Sequence, residues 1–309
     1  MKRAKGAAAA ATAVAAPKDI ITAASNMPEI KDGQSVALLQ ELHILTRDGK
    51  MNQDSRRKLK QVYHLTQFIE PLLREVQLDH PEGAKPVSLV DHGAGKSYLG
   101  FILYDLFFKN GNDGSHIYGI ETREELVQRS QELAQKFKFP GMSFLPLSVA
   151  ESTESNLLPQ QIDIVTALHA CNTATDDAIH FALKKKAKFM VLVPCCQAEV
   201  ASVLKKNKGK SLGKNVLTEL WRHPLHTREF GSQITNVLRC LQLEAHGYQV
   251  SVTELVGWEH SMKNELIIAS YKNLPRQRPT ERLQEVLQTL GLEEMGHRFF
   301  AEELAKATA

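Results

Sequence analysis

The stretch Val87-Ser88-Leu89-Val90-Asp91-His92-Gly93-Ala94-Gly95-Lys96-Ser97-Tyr98-Leu99-Gly100 restricts the possible folds of this chain more than any other. A short apolar run ends in an acid, a glycine-rich turn follows, and an apolar-periodic segment continues through Phe108. Strand, tight turn and helix in that order open a nucleotide-binding α/β sheet. Glycines suit the turn because the backbone must reverse sharply and a ligand must approach without a Cβ in the way. A Walker-type phosphate loop would need glycine at position 90, where Val90 stands, so the Lys96-Ser97 pair resembles one by accident. A dinucleotide fingerprint would want its third glycine at position 98, where Tyr98 stands.

The rest of the chain supplies the context. Val36 to Thr46 has helical apolar spacing, and Asp48-Gly49-Lys50 reads as a turn. Asn52 or Asp54 is placed to cap a helix from Ser55 to Val76, striped with Val62, Leu65, Phe68, Ile69 and Leu72. Beyond Pro81 and Pro86 strands and helices alternate. Strands are expected at Val87–Asp91, His116–Thr122, Met142–Leu147, Ile162–Leu168, Phe189–Val193, Gln249–Leu255 and Glu265–Tyr271. Helices are expected at Ser97–Lys109, up to about Lys138, over Asp176–Lys186 and over Gln233–His246. This pattern predicts a Rossmann-like, seven-stranded, mostly parallel α/β sheet with an N-terminal helical cap and a C-terminal helical tail. The expected divisions are a disordered Ala-rich tail at 1–33, the cap at 34–80, the sheet domain at 81–274 with a basic insertion at 200–231, and the tail at 275–309.

Composition narrows the setting. With 309 residues, 43% hydrophobic and 24% charged, the chain can hold one large domain plus appendages, or two small ones. A net charge of +3 does not by itself mark a nucleic-acid binder. The four cysteines, Cys171, Cys195, Cys196 and Cys240, make no spaced disulfide framework, which points to a cytoplasmic protein with reduced thiols. The Ala7 to Ala16 run after Met1-Lys2-Arg3 imitates a signal peptide but lacks the Leu, Ile and Phe of an apolar core, and no stretch has the length of a membrane span.

An Asp-x-Gly-x-Gly turn after a strand resembles that of class I S-adenosylmethionine (AdoMet) methyltransferases. In this reading AdoMet is the cofactor, held by Asp91, Gly93, Ala94, Gly95, Glu121, Ser148 and Val149. The glycine turn passes under the methionine part, and Asp91 takes its amino group. Glu121, ending the second strand, accepts the ribose hydroxyls, and the segment from Ser148 follows the third strand, beside the adenine. Each acid has a plainer reading as a helix cap or a solvated strand end.

The acceptor side is expected at His169-Ala170-Cys171-Asn172-Thr173-Ala174-Thr175-Asp176-Asp177 and at Cys195-Cys196, where the fourth and fifth strands end. Methyl transfer is an in-line displacement that needs an aligned acceptor and, for a weak nucleophile, a proton acceptor. His169, Cys171, Asn172, Asp176, Cys195 and Cys196 are the catalytic candidates, with Asp177 beside them. Asp176 or Asp177 could instead cap a helix, and the cysteines could be small packing residues or covalent nucleophiles toward a pyrimidine. Adjacent cysteines are not a chelating spacing, so no metal is expected. Trp258, in the loop Gly257 to Asn264, either stacks a base or seals the core. Arg56, Arg57, Lys58 and Lys60, with the Lys205–Lys214 insertion, read either as solvated charge or as a phosphate-facing rim for RNA.

The blocks VDHGAGKSYL, ALHACNTATDDAI, VLVPCCQ, REFGSQITNVLRCLQLEAHGY and GWEHSMKNELIIA together resemble a bacterial class I methyltransferase family. That family is related to the eukaryotic glutathione-S-transferase-C-terminal-domain-containing methyltransferase-like proteins. The H-x-C…A-T-D block and the paired cysteines also look like those of acceptor-stem tRNA 2′-O-methyltransferases, although Gln197-Ala198-Glu199 follow where those enzymes continue with histidines. The resemblance implies an AdoMet-dependent methyltransferase acting on RNA, tRNA or rRNA. A small-molecule or protein methyltransferase, or a non-catalytic RNA-binding module on the same fold, are the alternatives.

Overall fold

A computed structural model describes residues 28–79, 85–111, 114–168, 173–194, 198–207, 219–220, 222–255 and 265–299. Packing divides the chain between Arg56 and Arg57. In the first unit, helix α1 (Val36–Glu41) starts at Ser35, whose hydroxyl accepts the Leu38 N–H at 3.2 Å. It stops well short of the expected Thr46, because His43 takes a positive φ of 56° and the Thr46–Lys50 turn closes through Gly49 at 76°. Leu38 and Leu39 are fully buried. Asn52 is the cap of the next helix, accepting the Ser55 N–H at 2.8 Å.

That helix, α2 (Gln53–Leu78), carries the chain into the second unit. Its buried stripe there is Leu59, Val62, Leu65, Ile69, Leu73 and Val76 at helical spacing. The remaining elements are β1 (Ser88–His92), α3 (Tyr98–Leu103) running into a π-helical turn (Tyr104–Phe108), β2 (His116–Ile120), α4 (Glu124–Phe137), β3 (Met142–Leu145) and α5 (Val149–Glu154). They are followed by β4 (Ile164–Leu168), α6 (Ala174–Lys184), β5 (Phe189–Val193), α7 (Glu199–Asn207), α8 (Pro224–Ala245), β6 (Tyr248–Glu254), β7 (Glu265–Tyr271), α9 (Gln277–Thr289) and a 3-10 segment (Glu293–Phe299).

The seven strands lie in the order β3-β2-β1-β4-β5-β7-β6, with β7 antiparallel to both neighbours and every other pairing parallel. This is the expected mostly parallel, Rossmann-like sheet with a terminal hairpin. Strand β5, Phe-Met-Val-Leu-Val, is apolar along its whole length and every residue of it is buried, as expected of a parallel strand covered on both faces. One core layer packs Val90, Val165, Met190 and Ile267 of the sheet with Ile179 and Phe181 of α6.

Helix α8 begins at Pro224, far earlier than the expected Gln233, since Pro at the first helical position fits the fixed φ of a helix start. With α7 it organises part of the expected basic insertion. Leu283 and Leu287 of α9 and Met295 and Phe299 of the 3-10 segment form one apolar cluster with Val200, Leu204, Leu238 and Leu241. The C-terminal elements are therefore built into the sheet unit's core. Among the described residues no helix is long and apolar enough to cross a membrane.

Candidate cofactor and acceptor site

The Gly93–Gly95 turn sits at the C-terminal end of β1, the end at which open α/β sheets take their ligands. Gly93 and Gly95 have φ values of 69° and 58°, conformations that a side chain would strain. The turn is laced to the neighbouring strand. The Ala94 N–H donates to the Ile120 carbonyl at 2.9 Å, and the Gly95 N–H donates to Glu121 Oε2 at 2.9 Å. Gly119 lies beneath: a Cβ there would meet the Phe144 ring at 2.5 Å and Ala94 Cβ at 3.5 Å. Gly119 is a supporting residue that sequence reasoning missed; a glycine inside a strand, marking close backbone approach, was the available signal.

Asp91 is 3% exposed, and Thr166 Oγ1 donates to its Oδ1 at 2.8 Å. Burial raises its pKa to about 7, against the opposing pull of the Thr166 bond. A buried carboxylate with one neutral donor is poorly satisfied until a cation reaches it, and the AdoMet ammonium is such a cation. Glu121 behaves differently. Burial alone would raise its pKa, but the hydrogen bonds and charge of Arg123, with the Gly95 N–H, outweigh it and hold the group below the ordinary value. Arg123 Nε donates to Glu121 Oε1 at 2.9 Å and Nη2 to Oε2 at 3.2 Å, while the Arg123 backbone N–H adds 3.1 Å to Oε1. The result is an ionised carboxylate at the tip of β2 whose two oxygens are held by Arg123 and the Gly95 N–H. Arg123 was also missed; its side chain is exposed, while the carboxylate it holds is buried.

Two buried side chains near the turn in sequence, His92 and Ser97, have polar atoms without partners among the described residues. His92 is 5% exposed with neither ring nitrogen bonded, its ring 5.6 Å from that of Phe181. Burial lowers its pKa to about 4, with the Glu121 charge opposing. Ser97 is fully buried at φ 51°, and its Oγ has no partner.

Ser148 caps α5: its hydroxyl accepts the Glu151 N–H at 3.4 Å and its backbone N–H donates to Glu151 Oε2 at 2.8 Å, a reciprocal capping box in which the hydroxyl also donates to Oε2 at 2.6 Å. Its side chain is thus engaged locally, and Val149 opens the helix behind it.

On the acceptor side, Asp176 is not placed as a free base. It is 5% exposed and receives Arg239 Nε at 2.7 Å and Nη2 at 2.8 Å, a bidentate pair with a fully buried guanidinium. Neither Asp176 nor Asp177 caps α6, because Thr173 holds the cap position and both acids fall in the first turn. Asp177 is half-buried, and burial raises its pKa, with Arg298 pulling the other way. His169, Cys171, Asn172, Cys195, Cys196 and the Gly257–Asn264 loop with Trp258 lie outside the described residues. Cys240 in α8 is no substitute nucleophile, since burial, reinforced by Glu265 and Glu244, pushes its thiol up to about 12.

Residues 57–203, just under half of the chain, match the model of a family described as a methyltransferase domain. Glutathione S-transferase C-terminal domain-containing proteins are 26% identical over 241 residues in Bos taurus and 23% over 242 residues in Xenopus laevis. The alignments cover 72% of this chain but 34% and 36% of those proteins, so the chain spans about a third of the relatives' length. Among solved structures, the magnesium protoporphyrin IX methyltransferase of Synechocystis PCC 6803 with bound SAH is 17% identical, with a TM-score of 0.41 and coverage of 76% of this chain and 93% of that one. A likeness this weak bears on no residue of the site. The domain match agrees with the expected AdoMet-dependent methyltransferase.

Proposed function

We propose that this AdoMet-dependent methyltransferase domain modifies structured RNA, at ribose or base. The observation that carries the cofactor half is the pairing of a buried, cation-demanding Asp91 with an ionised Glu121 on either side of the glycine turn. When bound, AdoMet supplies an electrophilic methyl group on its sulfonium. The chain's own part is to hold the ammonium at Asp91, the ribose hydroxyls at Glu121, and the acceptor at the loops after β4 and β5. His169 and Asp177 are the proton acceptors in this reading, since Asp176 is saturated by Arg239. Cys171, Asn172, Cys195 and Cys196 shape the acceptor pocket.

The RNA half rests on exposed cations: Arg57, Lys58 and Lys60 in the early turns of α2, and Lys205 and Lys206 at the end of α7. A small-molecule or protein acceptor is the second reading. It is favoured by the ion pairs Arg56–Glu29 at 2.9 Å and Lys206–Glu294 at 3.4 Å, which draw Arg56 and Lys206 away from phosphate. Mass spectrometry of RNA nucleosides from cells with and without the gene separates the two. Loss of one methylated nucleoside is expected, together with RNA binding that weakens steeply with salt and with charge reversal at Arg57, Lys58 and Lys60. An unchanged nucleoside profile with salt-independent binding would reject RNA as the substrate.

A further inference from the structure

A cavity of about 660 Å³ opens at the opposite end of the sheet from the glycine turn, within the size range of small-molecule pockets. It is formed where strands begin. Lys85 precedes β1, Asp163 precedes β4, Lys186 and Lys188 precede β5, and Tyr248 starts β6, while Tyr271 ends the antiparallel β7. A five-residue strand at about 3.3 Å per residue separates this mouth from the cofactor end by roughly 16 Å.

Its charges are unevenly satisfied. Lys85 Nζ is bonded to Asp163 Oδ1 at 2.8 Å, and Lys188 is paired with Asp79 and, at 3.3 Å, with Glu75. Lys186 and Arg276 have no carboxylate partner among the described residues. Lys186 is held at a φ of 50° in the lysine-rich turn Lys184-Lys185-Lys186-Ala187-Lys188. Arg276 Nη2 donates to the Tyr271 hydroxyl at 3.3 Å and to Asn273 Oδ1 at 3.5 Å, which tethers the guanidinium beside an aromatic ring. Tyr271 is 41% exposed and packs edge-on against Tyr248, with ring centroids 5.2 Å apart.

We infer that this cavity is a second ligand site, for a nucleoside monophosphate, with the phosphate on Lys186 and Arg276 and the base against Tyr271. Two cations without counter-charges attract an anion, a guanidinium binds phosphate bidentately, and an exposed tyrosine offers any base a stacking surface. Plain phosphate would use only the cationic half. The site is independent of the acceptor proposed above, because it lies across the sheet from Gly93–Gly95.

Calorimetric titration of the full chain tests this, with S-adenosylhomocysteine kept saturating so that the cofactor site cannot take the added nucleotide. Guanosine and uridine monophosphates are expected to bind, more tightly than inorganic phosphate or free guanosine. Lys186→Ala and Arg276→Ala should each weaken nucleotide binding about tenfold. Tyr271→Ala should weaken nucleotides while sparing inorganic phosphate, with thermal melting to confirm that each variant is folded. No binding at millimolar nucleotide, or binding unchanged in the Lys186→Ala/Arg276→Ala double variant, overturns the site. Equal losses for nucleotide and phosphate in Tyr271→Ala overturn the base-stacking half and leave an anion site only.

Discussion

Arg239 of α8 and Asp176 of α6 form a bidentate ion pair, 2.7 and 2.8 Å long, in which both side chains are almost wholly out of water. The guanidinium also donates to Asn236 Oδ1 at 3.0 Å, and Asn236 Nδ2 donates to Glu265 Oε2 at 2.7 Å. One network thus ties the first turn of α6, behind the β4 loop, to the start of β7. Breaking such a pair strands a buried charge, which costs about 3–5 kcal/mol, whereas replacing both partners with apolar groups costs far less. Arg239→Met should lower stability by that amount in urea denaturation, and adding Asp176→Leu should recover more than half of the loss. A loss under 1 kcal/mol in the single variant would show that the pair is not desolvated as described.

Asp91 and His92 are neighbours whose titrations oppose each other. Asp91 holds its proton to about pH 7 when folded, against an ordinary 3.8, so this group makes the fold more stable as pH falls through that window. His92 refuses a proton until about pH 4 when folded, against an ordinary 6.5, so it makes the fold less stable as pH falls. The two slopes, each up to about 1.4 kcal/mol per pH unit, largely cancel between pH 4 and 6.5. Relative to wild type, Asp91→Asn should become acid-labile there, and His92→Leu should become more stable toward acid. Denaturation curves across that window check both signs.

The cofactor site predicts a split between Glu121 and Arg123. Glu121→Gln keeps an oxygen for the Gly95 N–H but loses the charge that we propose receives the ribose hydroxyls. AdoMet binding should weaken about ten- to a hundredfold, as expected for losing a hydrogen bond to a charged group. Arg123→Ala removes a competitor for the same carboxylate and should leave affinity equal or tighter. Affinity should also fall as pH drops below about 7, where Asp91 becomes neutral, and this dependence should vanish in Asp91→Asn. Equal losses in the Glu121 and Arg123 variants would overturn the assignment.

Ser97 occupies the left-handed region at φ 51°, ψ 37°, and its fully buried hydroxyl has no partner among the described residues. Glycine there relieves the backbone strain and removes the orphan oxygen, at the cost of extra freedom in the unfolded chain. Ser97→Gly should raise stability by about 1 kcal/mol, read as an increase in Tm. A decrease would mean that the hydroxyl finds a partner in solution.

The strand-turn-helix at Val87–Gly100, the alternation of elements and the terminal hairpin are local patterns, and hydrophobic periodicity carries them directly. Boundaries shifted where a local conformation intervened, as at His43 just beyond α1 and at Pro224, which opens α8. Ser148, a cofactor candidate by position, has its side chain committed to a capping box, which the Ser-x-x-Glu spacing already implied. Arg239 was invisible because a basic residue in an amphipathic helix reads as solvated; only the packing of α8 against α6 removes it from water.

The sequence alone determined the succession of strands and helices along the chain, the glycine turn and the acids near the C-terminal ends of β1 and β2, because each depends on residues close together in the chain. The tertiary structure decided what those acids are. Burial keeps Asp91 near neutrality, Arg123 keeps Glu121 charged, and Arg239 takes Asp176 out of the pool of proton acceptors. Protonation depends on desolvation and on charges brought together from distant segments, and that information exists only once the chain is folded.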